Sequence, residues 1–198
     1  MKGRLIILEG LDGSGLFTQA TLLAQHLKRS GIKVFLTKEP TNSVIGKLIK
    51  ASLSGKFTVS AKTLQLLFSA DRSHHLNMEI EPALNRGETV ICDRYIFSTI
   101  AYGFVSKVNY KWLRTINLNF RLPDIGIFLD VTPETALNRV FGKESHLQLF
   151  DDKNRLNNVR QMYLQLAREF HLKKIDGNDD IEHVSEKINL LVDKLIKK

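Results

Sequence analysis

Short β-branched runs that alternate with amphipathic helical stretches predict a three-layer α/β fold, a five-stranded parallel sheet flanked by helices. Three observations carry this. Four runs are apolar almost throughout, the mark of strands covered on both faces. The stretches between them repeat their apolar residues every three or four positions. The chain has 198 residues, 43% of them hydrophobic and 25% charged, which suits a single domain with a substantial core.

In chain order, Leu5-Ile6-Ile7-Leu8 reads as the first buried strand. Ala20, Leu23, Ala24 and Leu27 then fall at helical spacing, and Gly31 stops that helix. Val34-Phe35-Leu36 is the second strand, and a long helix-like segment begins near Ser60. Thr89-Val90-Ile91-Cys92 and Ile125-Gly126-Ile127-Phe128-Leu129 follow as strands, with Lys173-Lys174-Ile175-Asp176 a weaker fifth. Leu156, Val159, Tyr163, Leu166 and Phe170 make one apolar stripe, and Val184, Ile188, Leu191, Val192 and Leu195 another, both read as core faces. Parallel strands need right-handed crossovers, and ligands of such sheets bind beyond the carboxyl ends of the strands.

Composition narrows the function classes. Lys and Arg number 29 against 21 Asp and Glu, a formal charge of +8. That balance suits polyanionic nucleotides as well as nucleic acid, but the charges are spread along the chain with only a short Lys197-Lys198 tail, so no nucleic-acid role is expected. No apolar run approaches the roughly 18 residues of a membrane span, and no signal-peptide layout precedes Leu5. One cysteine makes no internal disulfide, which fits a cytoplasmic protein, and Cys92 within Val90-Ile91-Cys92 reads as a buried, inert thiol.

After the first strand comes Gly10-Leu11-Asp12-Gly13-Ser14-Gly15-Leu16-Phe17-Thr18. Gly, four residues and Gly between a strand and a helix is the frame of a Walker A phosphate loop. The amides of Gly13, Ser14, Gly15 and Leu16 can then point at phosphate oxygens, helped by the positive end of the following helix. Where the motif has its lysine this chain has Leu16, and where it has the Mg²⁺-binding hydroxyl it has Phe17. Thr18 is turned about 100° away and is a poor substitute unless the loop shifts register. A Gly-rich turn with no phosphate role is the alternative.

Two further stretches bear chemistry. Phe68 and Arg72 lie four apart on one helical face, where a ring stacks on a planar base and a guanidinium donates to its edge; the alternative is a core phenylalanine beside a surface arginine. Asp93 closes the third strand, where a carboxylate can hold Mg²⁺ or its water, and Arg94 can bind two phosphate oxygens at once; the alternative is a strand-end ion pair. His74 and His75 match no ligand spacing and read as polar helix residues.

Together these pieces resemble the thymidylate kinase family of P-loop nucleoside monophosphate kinases. The resemblance runs nearly end to end, through Leu8-Glu9-Gly10-Leu11-Asp12-Gly13-Ser14-Gly15, Lys38-Glu39-Pro40, Phe68 to Arg72, Asp93-Arg94-Tyr95 through Tyr102, and Leu122-Pro123-Asp124 through Glu134. It implies a P-loop NTPase fold with a lid near 141–152, ATP as phosphoryl donor, dTMP as acceptor, Mg²⁺ as metal and a homodimer. It also implies that Asp12, Asp93 and Arg94 serve catalysis. Asp12 would meet the 3′-hydroxyl of dTMP or organise metal, and Asp93 would be the metal ligand. Gly10, Gly13, Ser14, Gly15, Leu16, Phe17 and Thr18 would line the ATP phosphates, and Arg139 would pack on the adenine. Phe68 would stack on thymine, with Arg72 donating to its carbonyl edge and Thr99 near that edge. Arg94 would hold the acceptor phosphate, and Tyr102 would crowd the ribose 2′ position.

Departures from the family pattern cluster on the donor side. Besides Leu16 and Phe17, position 14 is serine, so the loop has no arginine, and the lid stretch from Gly142 to Phe150 has Lys143 as its one permanent cation. Lys38 stands where many bacterial members have arginine. The expectation is therefore a dTMP kinase with weakened catalysis. The alternative is a catalytically silent nucleotide-binding paralogue that keeps the dTMP pocket.

Overall fold

The computed structural model describes residues 3–141 and 149–196, with 149–152 given by their helical backbone alone. Five strands form one sheet: β1 (Leu5–Gly10), β2 (Val34–Lys38), β3 (Thr89–Asp93), β4 (Ile125–Asp130) and β5 (Lys173–Asp176). Every pairing is parallel and the order is β2-β3-β1-β4-β5, the predicted architecture. The runs read as strands are the strands observed. β1 is buried at all six positions because helices cover both of its faces, whereas β5 at the edge is largely exposed.

Nine helices occur among the described residues: α1 (Leu16–Arg29), α2 (Val44–Leu53), α3 (Ala61–His75), α4 (Glu81–Asn85), α5 (Ile96–Val105), α6 (Tyr110–Asn117), α7 (Pro133–Phe141), α8 (Leu149–Glu169) and α9 (Ile181–Ile196). A π-helical turn, Leu76–Ile80, joins α3 to α4. Ser43, Ser60 and Asn109 begin α2, α3 and α6, each side chain accepting from the amide of the third helical residue. Gly31 follows the end of α1 with φ 77°, the left-handed stop expected of it.

The core is two layers of side chains, one on each face of the sheet. One holds α1 and α9 against β1, β3 and β4 through Leu16, Ala20, Leu23, Leu27, Val184, Ile188 and Val192. The other gathers α5 and α8 around Phe97, Ile100, Val159, Tyr163 and Leu166. Both predicted stripes are thus core faces. Of the described helices, none is long and apolar enough to cross a membrane.

β1 lies between β3 and β4: the chain leaves β1 for β2 on one side, then crosses from β3 past β1 to β4 on the other, so the crossovers run in opposite directions about β1. This is the switch point of the sheet, where the carboxyl ends of neighbouring strands open a crevice. Gly10, Asp93 and Asp130 end the three central strands there.

Candidate active site

The loop from β1 to α1 turns on two glycines. Gly13 has φ 80°, and a Cβ on it would come within 2.3 Å of the Ala136 carbonyl oxygen of α7, so this position tolerates no side chain. Gly15 has φ 89° and open space around it; its requirement is the backbone angle. Gly15 is also the N-cap of α1 and makes no side-chain cap, which leaves the first amides of the helix without an intrahelical acceptor and facing the crevice. One expectation is corrected. The Ser14 amide does not point outward: it donates to the Leu11 carbonyl at 3.1 Å, and its hydroxyl does the same at 2.6 Å, because the turn closes on itself there. The loop amides left without an internal acceptor of this kind are thus sought at Gly13, Gly15 and the first turn of α1 rather than at Ser14.

The register of this loop is not shifted. Leu16 opens α1 and is 4% exposed, sharing a buried cluster with Leu8, Ala20 and Leu23. Phe17 is 64% exposed at the place of the metal-binding hydroxyl, and Thr18 is exposed on the next step of the helix. The Lys38 ammonium at the end of β2 lies 5.9 Å over the Phe17 ring.

Asp93 ends β3 in register with Leu8 of β1 and Lys38 of β2. Partial burial pushes its carboxyl above the ordinary aspartate value, with Arg94 and Lys38 pulling the other way. Its neighbour Arg94 has φ 70°, left-handed for a residue with a side chain, and its amide donates to the Leu8 carbonyl at 2.9 Å. That turn sends the guanidinium back over β1. Nη1 donates to the Gly10 carbonyl at 3.0 Å and Nη2 to Asp12 Oδ1 at 2.7 Å. Burial works against its charge, yet the oxygens of Tyr102, Tyr163, Asp12 and Asp93 more than offset this, and the guanidinium is held charged more firmly than in water.

Asp12 is two-thirds exposed, and Tyr102 closes over it from α5. The Tyr102 hydroxyl accepts from the Asp12 amide at 3.1 Å and donates to Oδ2 at 3.0 Å. Burial pushes this phenol up to about 12, so it stays protonated. The β1–α1 loop and α5 are in this way tied through Asp12, Arg94 and Tyr102.

Sequence reasoning missed what fixes the Arg94 turn, although Glu9 stood inside a quoted motif. Glu9 is fully buried on β1, and its carboxylate accepts from the amides of Tyr95, Phe97 and Ser98, the Ser98 hydroxyl and the Tyr163 hydroxyl. A carboxylate at the start of α5 meets both free amides and the positive end of the helix. Burial nevertheless raises its proton affinity above the ordinary value of 4.5.

Phe68 is half-buried on α3 and belongs to neither core cluster, so its ring is not spoken for by packing. Arg72 is no surface arginine; it is 1% exposed. Nη2 donates to Glu39 Oε2 at 2.7 Å and to Thr99 Oγ1 at 2.9 Å, and Nη1 to Asn117 Oδ1 at 2.6 Å. The structure thus joins Arg72 and Thr99 directly, across α3 and α5. His75 corrects the reading of a polar helix residue: it is wholly buried, with Nδ1 3.1 Å from Glu39 Oε1 and Nε2 2.8 Å from Thr37 Oγ1. Asn117 of α6 was not singled out, since one Asn in a short polar helix gives no pattern.

Glu39, His75 and Cys92 lie close enough together to raise the question of an ion. Their atoms answer it. Both Glu39 oxygens and both His75 nitrogens already have partners, and burial with the charges of Glu39 and Asp93 holds the Cys92 thiol well above its ordinary value. It is a hydrogen-bonded network around a protonated thiol that donates to the Arg94 carbonyl.

On the other side of the loop, Arg139 is exposed on α7, with Nη2 3.5 Å from the Asp179 carbonyl. This places it beside the loop that follows β5, on the same edge of the sheet. Residues 142–148, which hold Lys143 and most of the expected lid, lie outside the described residues.

The whole chain has relatives. A family model described as Thymidylate kinase matches residues 8–188. A protein of Pyrococcus abyssi named "Probable thymidylate kinase" is 38% identical over 199 aligned positions, covering 97% of each chain. One of Methanocaldococcus jannaschii with the same name is 42% identical over 184 positions, 92% of each. A bacterial protein named "Thymidylate kinase", from Brachyspira hyodysenteriae, is 34% identical over 189 positions, 95% of this chain and 92% of its own.

Proposed function

The chain belongs to the thymidylate kinase family, and from that premise we propose that it transfers the γ-phosphoryl group of ATP to dTMP, giving dTDP and ADP. The observation that carries the assignment is one side chain. Arg94, in the turn between β3 and α5, reaches back onto the loop after β1, touching Gly10 and Asp12 within 3.0 Å, which supports a cation held between donor and acceptor phosphates.

Phosphoryl transfer asks a protein mainly to hold two phosphates in line and to neutralise charge between them. Here the amides of Gly13, Gly15 and the first turn of α1 hold the donor phosphates, and Arg139 packs on the adenine. Arg94 holds the acceptor phosphate, exchanging its Asp12 contact for phosphate oxygens. Phe68 stacks on thymine, Arg72 donates to its carbonyl edge with Thr99 beside it, and Tyr102 with Asp12 closes around the deoxyribose. Tyr102 is expected to crowd the ribose 2′ position, favouring deoxyribose.

The donor set fits Mg²⁺ in reduced form. Asp93 is a carboxylate at the strand end, while Phe17 offers no oxygen; an ion that keeps several waters and binds substrate phosphates needs no more than one or two protein carboxylates. When bound, Mg²⁺ supplies charge neutralisation between the phosphates.

Leu16 is the weak point. Its side chain is spent on the core, and no charge in the described loop replaces the missing lysine. We therefore expect slow turnover with ordinary acceptor binding. A coupled assay with ATP, Mg²⁺ and dTMP, run beside calorimetry with dTMP alone, tests both halves. Absence of dTMP binding refutes the acceptor assignment. Binding without turnover favours a silent nucleotide-binding relative, a reading that the buried Leu16 supports.

A further inference from the structure

We propose that His75 and Asn117 are positioning residues for base recognition, clamping Arg72 from two sides so that the remaining N–H of its Nη1 is offered in one fixed direction. The proposal rests on the reading of Arg72 as the residue that reads the base.

A guanidinium has five N–H groups. In Arg72 three are committed, two on Nη2 to Glu39 and Thr99 and one on Nη1 to Asn117. Nε is shut away from solvent with no partner among the described residues, so the group left to meet a ligand carbonyl is the second N–H of Nη1. The plane of the group is fixed as well, since its central carbon lies 5.0 Å over the Tyr95 ring and 5.7 Å over the Phe120 ring.

The partners are themselves held. Glu39 is paired with Arg72 through Oε2, so its carboxylate accepts at Oε1 and His75 Nδ1 donates. His75 Nε2 is in turn fixed by Thr37 Oγ1 on β2. On the other side, Asn117 Nδ2 donates to the Leu113 carbonyl at 2.8 Å, which fixes the amide orientation and leaves Oδ1 as the acceptor for Arg72. His75 and Asn117 are each 0% exposed, and neither is needed to make an ion pair. Together they draw β2, α3 and α6 into one brace around a single guanidinium. A carboxylate alone lets an arginine pivot; a second, oriented acceptor on Nη1 removes that freedom. Pre-organised donors lose less on binding.

The test uses the full chain with ATP, Mg²⁺ and two monophosphates, dTMP and 5-methyl-dCMP. The second carries an amino group where dTMP has the carbonyl that Arg72 reads. His75→Leu and Asn117→Leu are compared with His75→Gln and Asn117→Asp, which keep a hydrogen-bonding atom in place. In each leucine variant the dTMP Kd by calorimetry rises about tenfold, and the preference for dTMP over 5-methyl-dCMP narrows by the same factor. KM for ATP stays within about twofold, and the conservative variants recover most of the preference. If a leucine variant does not fold, Thr37→Val, which exchanges the hydroxyl behind His75 for a methyl group, carries the test with an expected shift of about threefold. Folded variants that lose thermal stability but keep the wild-type preference overturn the proposal and leave a purely structural brace. Wild-type protein that does not bind dTMP overturns the acceptor assignment itself, and this proposal with it.

Discussion

Restoring the phosphate loop with Leu16→Lys and Phe17→Thr weighs a gain in catalysis against a loss of packing. Leu16 is 4% exposed in the core layer under α1, and truncating such a leucine costs about 2–5 kcal/mol. A lysine keeps much of the apolar stem while turning its ammonium toward the crevice, which brings the net cost to roughly 1–2 kcal/mol. Phe17 is 64% exposed, so its replacement adds little. For a chain of this size each kcal/mol lowers Tm by about 2–4 °C, so a drop of roughly 2–8 °C is expected by differential scanning calorimetry. Against that, one well-placed donor at an anionic transition state is worth about 10²–10³ in kcat. The assay is ADP release at saturating ATP, Mg²⁺ and dTMP, with dTMP affinity measured separately. The expected result is a kcat gain of at least about a hundredfold, with the dTMP Kd unchanged. A wild-type kcat already within the usual kinase range of about 1–100 s⁻¹, with no gain on repair, refutes the claim that Leu16 is costly.

Other outcomes follow from the same geometry. Phe68→Ala should weaken dTMP binding about tenfold and leave KM for ATP alone, because the half-buried ring belongs to neither core layer; steady-state kinetics with each substrate varied checks this. Tyr102→Ala should let the ribonucleotide analogue of dTMP react, narrowing the preference for deoxyribose about tenfold in kcat/KM, whereas Tyr102→Phe keeps the ring and the preference. For pH, the folded chain holds the Glu9 proton to higher pH than the ordinary 4.5 of the unfolded chain. The folded state therefore binds more protons just above 4.5, and the Glu9 contribution to stability falls as pH rises through that interval. Urea denaturation at pH 5 and pH 7.5 should show that Glu9→Gln removes this part of the pH dependence. It should also lower stability at both values, because an amide cannot accept from all five donors that the carboxylate meets.

The strands and the phosphate loop were legible because their signals are local. β1, β3 and β4 are buried on both faces, so they must be apolar at nearly every position, and a reader sees them as continuous runs. The loop announces itself through Gly13 and Gly15, whose backbone angles other residues rarely adopt. α2 and α6 carried no such signal: α6 is eight residues long, and its one strongly buried apolar side chain is Leu113. The internal hydrogen bond of the Ser14 amide was invisible for a related reason, since glycine spacing fixes that a turn forms but not which amides it keeps for itself.

Residue types at fixed spacing thus determined the sheet, the Gly-rich turn after β1, and the absence of a lysine and a hydroxyl from it. The family resemblance joined Phe68, Arg72, Asp93, Arg94 and Tyr102 into a set. What only the tertiary structure decided is how those side chains are held. Leu16 could have pointed into the crevice or into the core, and packing under α1 decided for the core. Arg72 could have been a solvated helix charge; burial beside Glu39, Thr99 and Asn117, from three separate segments, made it a fixed donor. His75 looked like its neighbour His74 in sequence and differs only in which way the helix turns it. Spacing along the chain reports which residues share a face. Which face meets which neighbour depends on contacts between distant segments, and those exist only once the chain has folded.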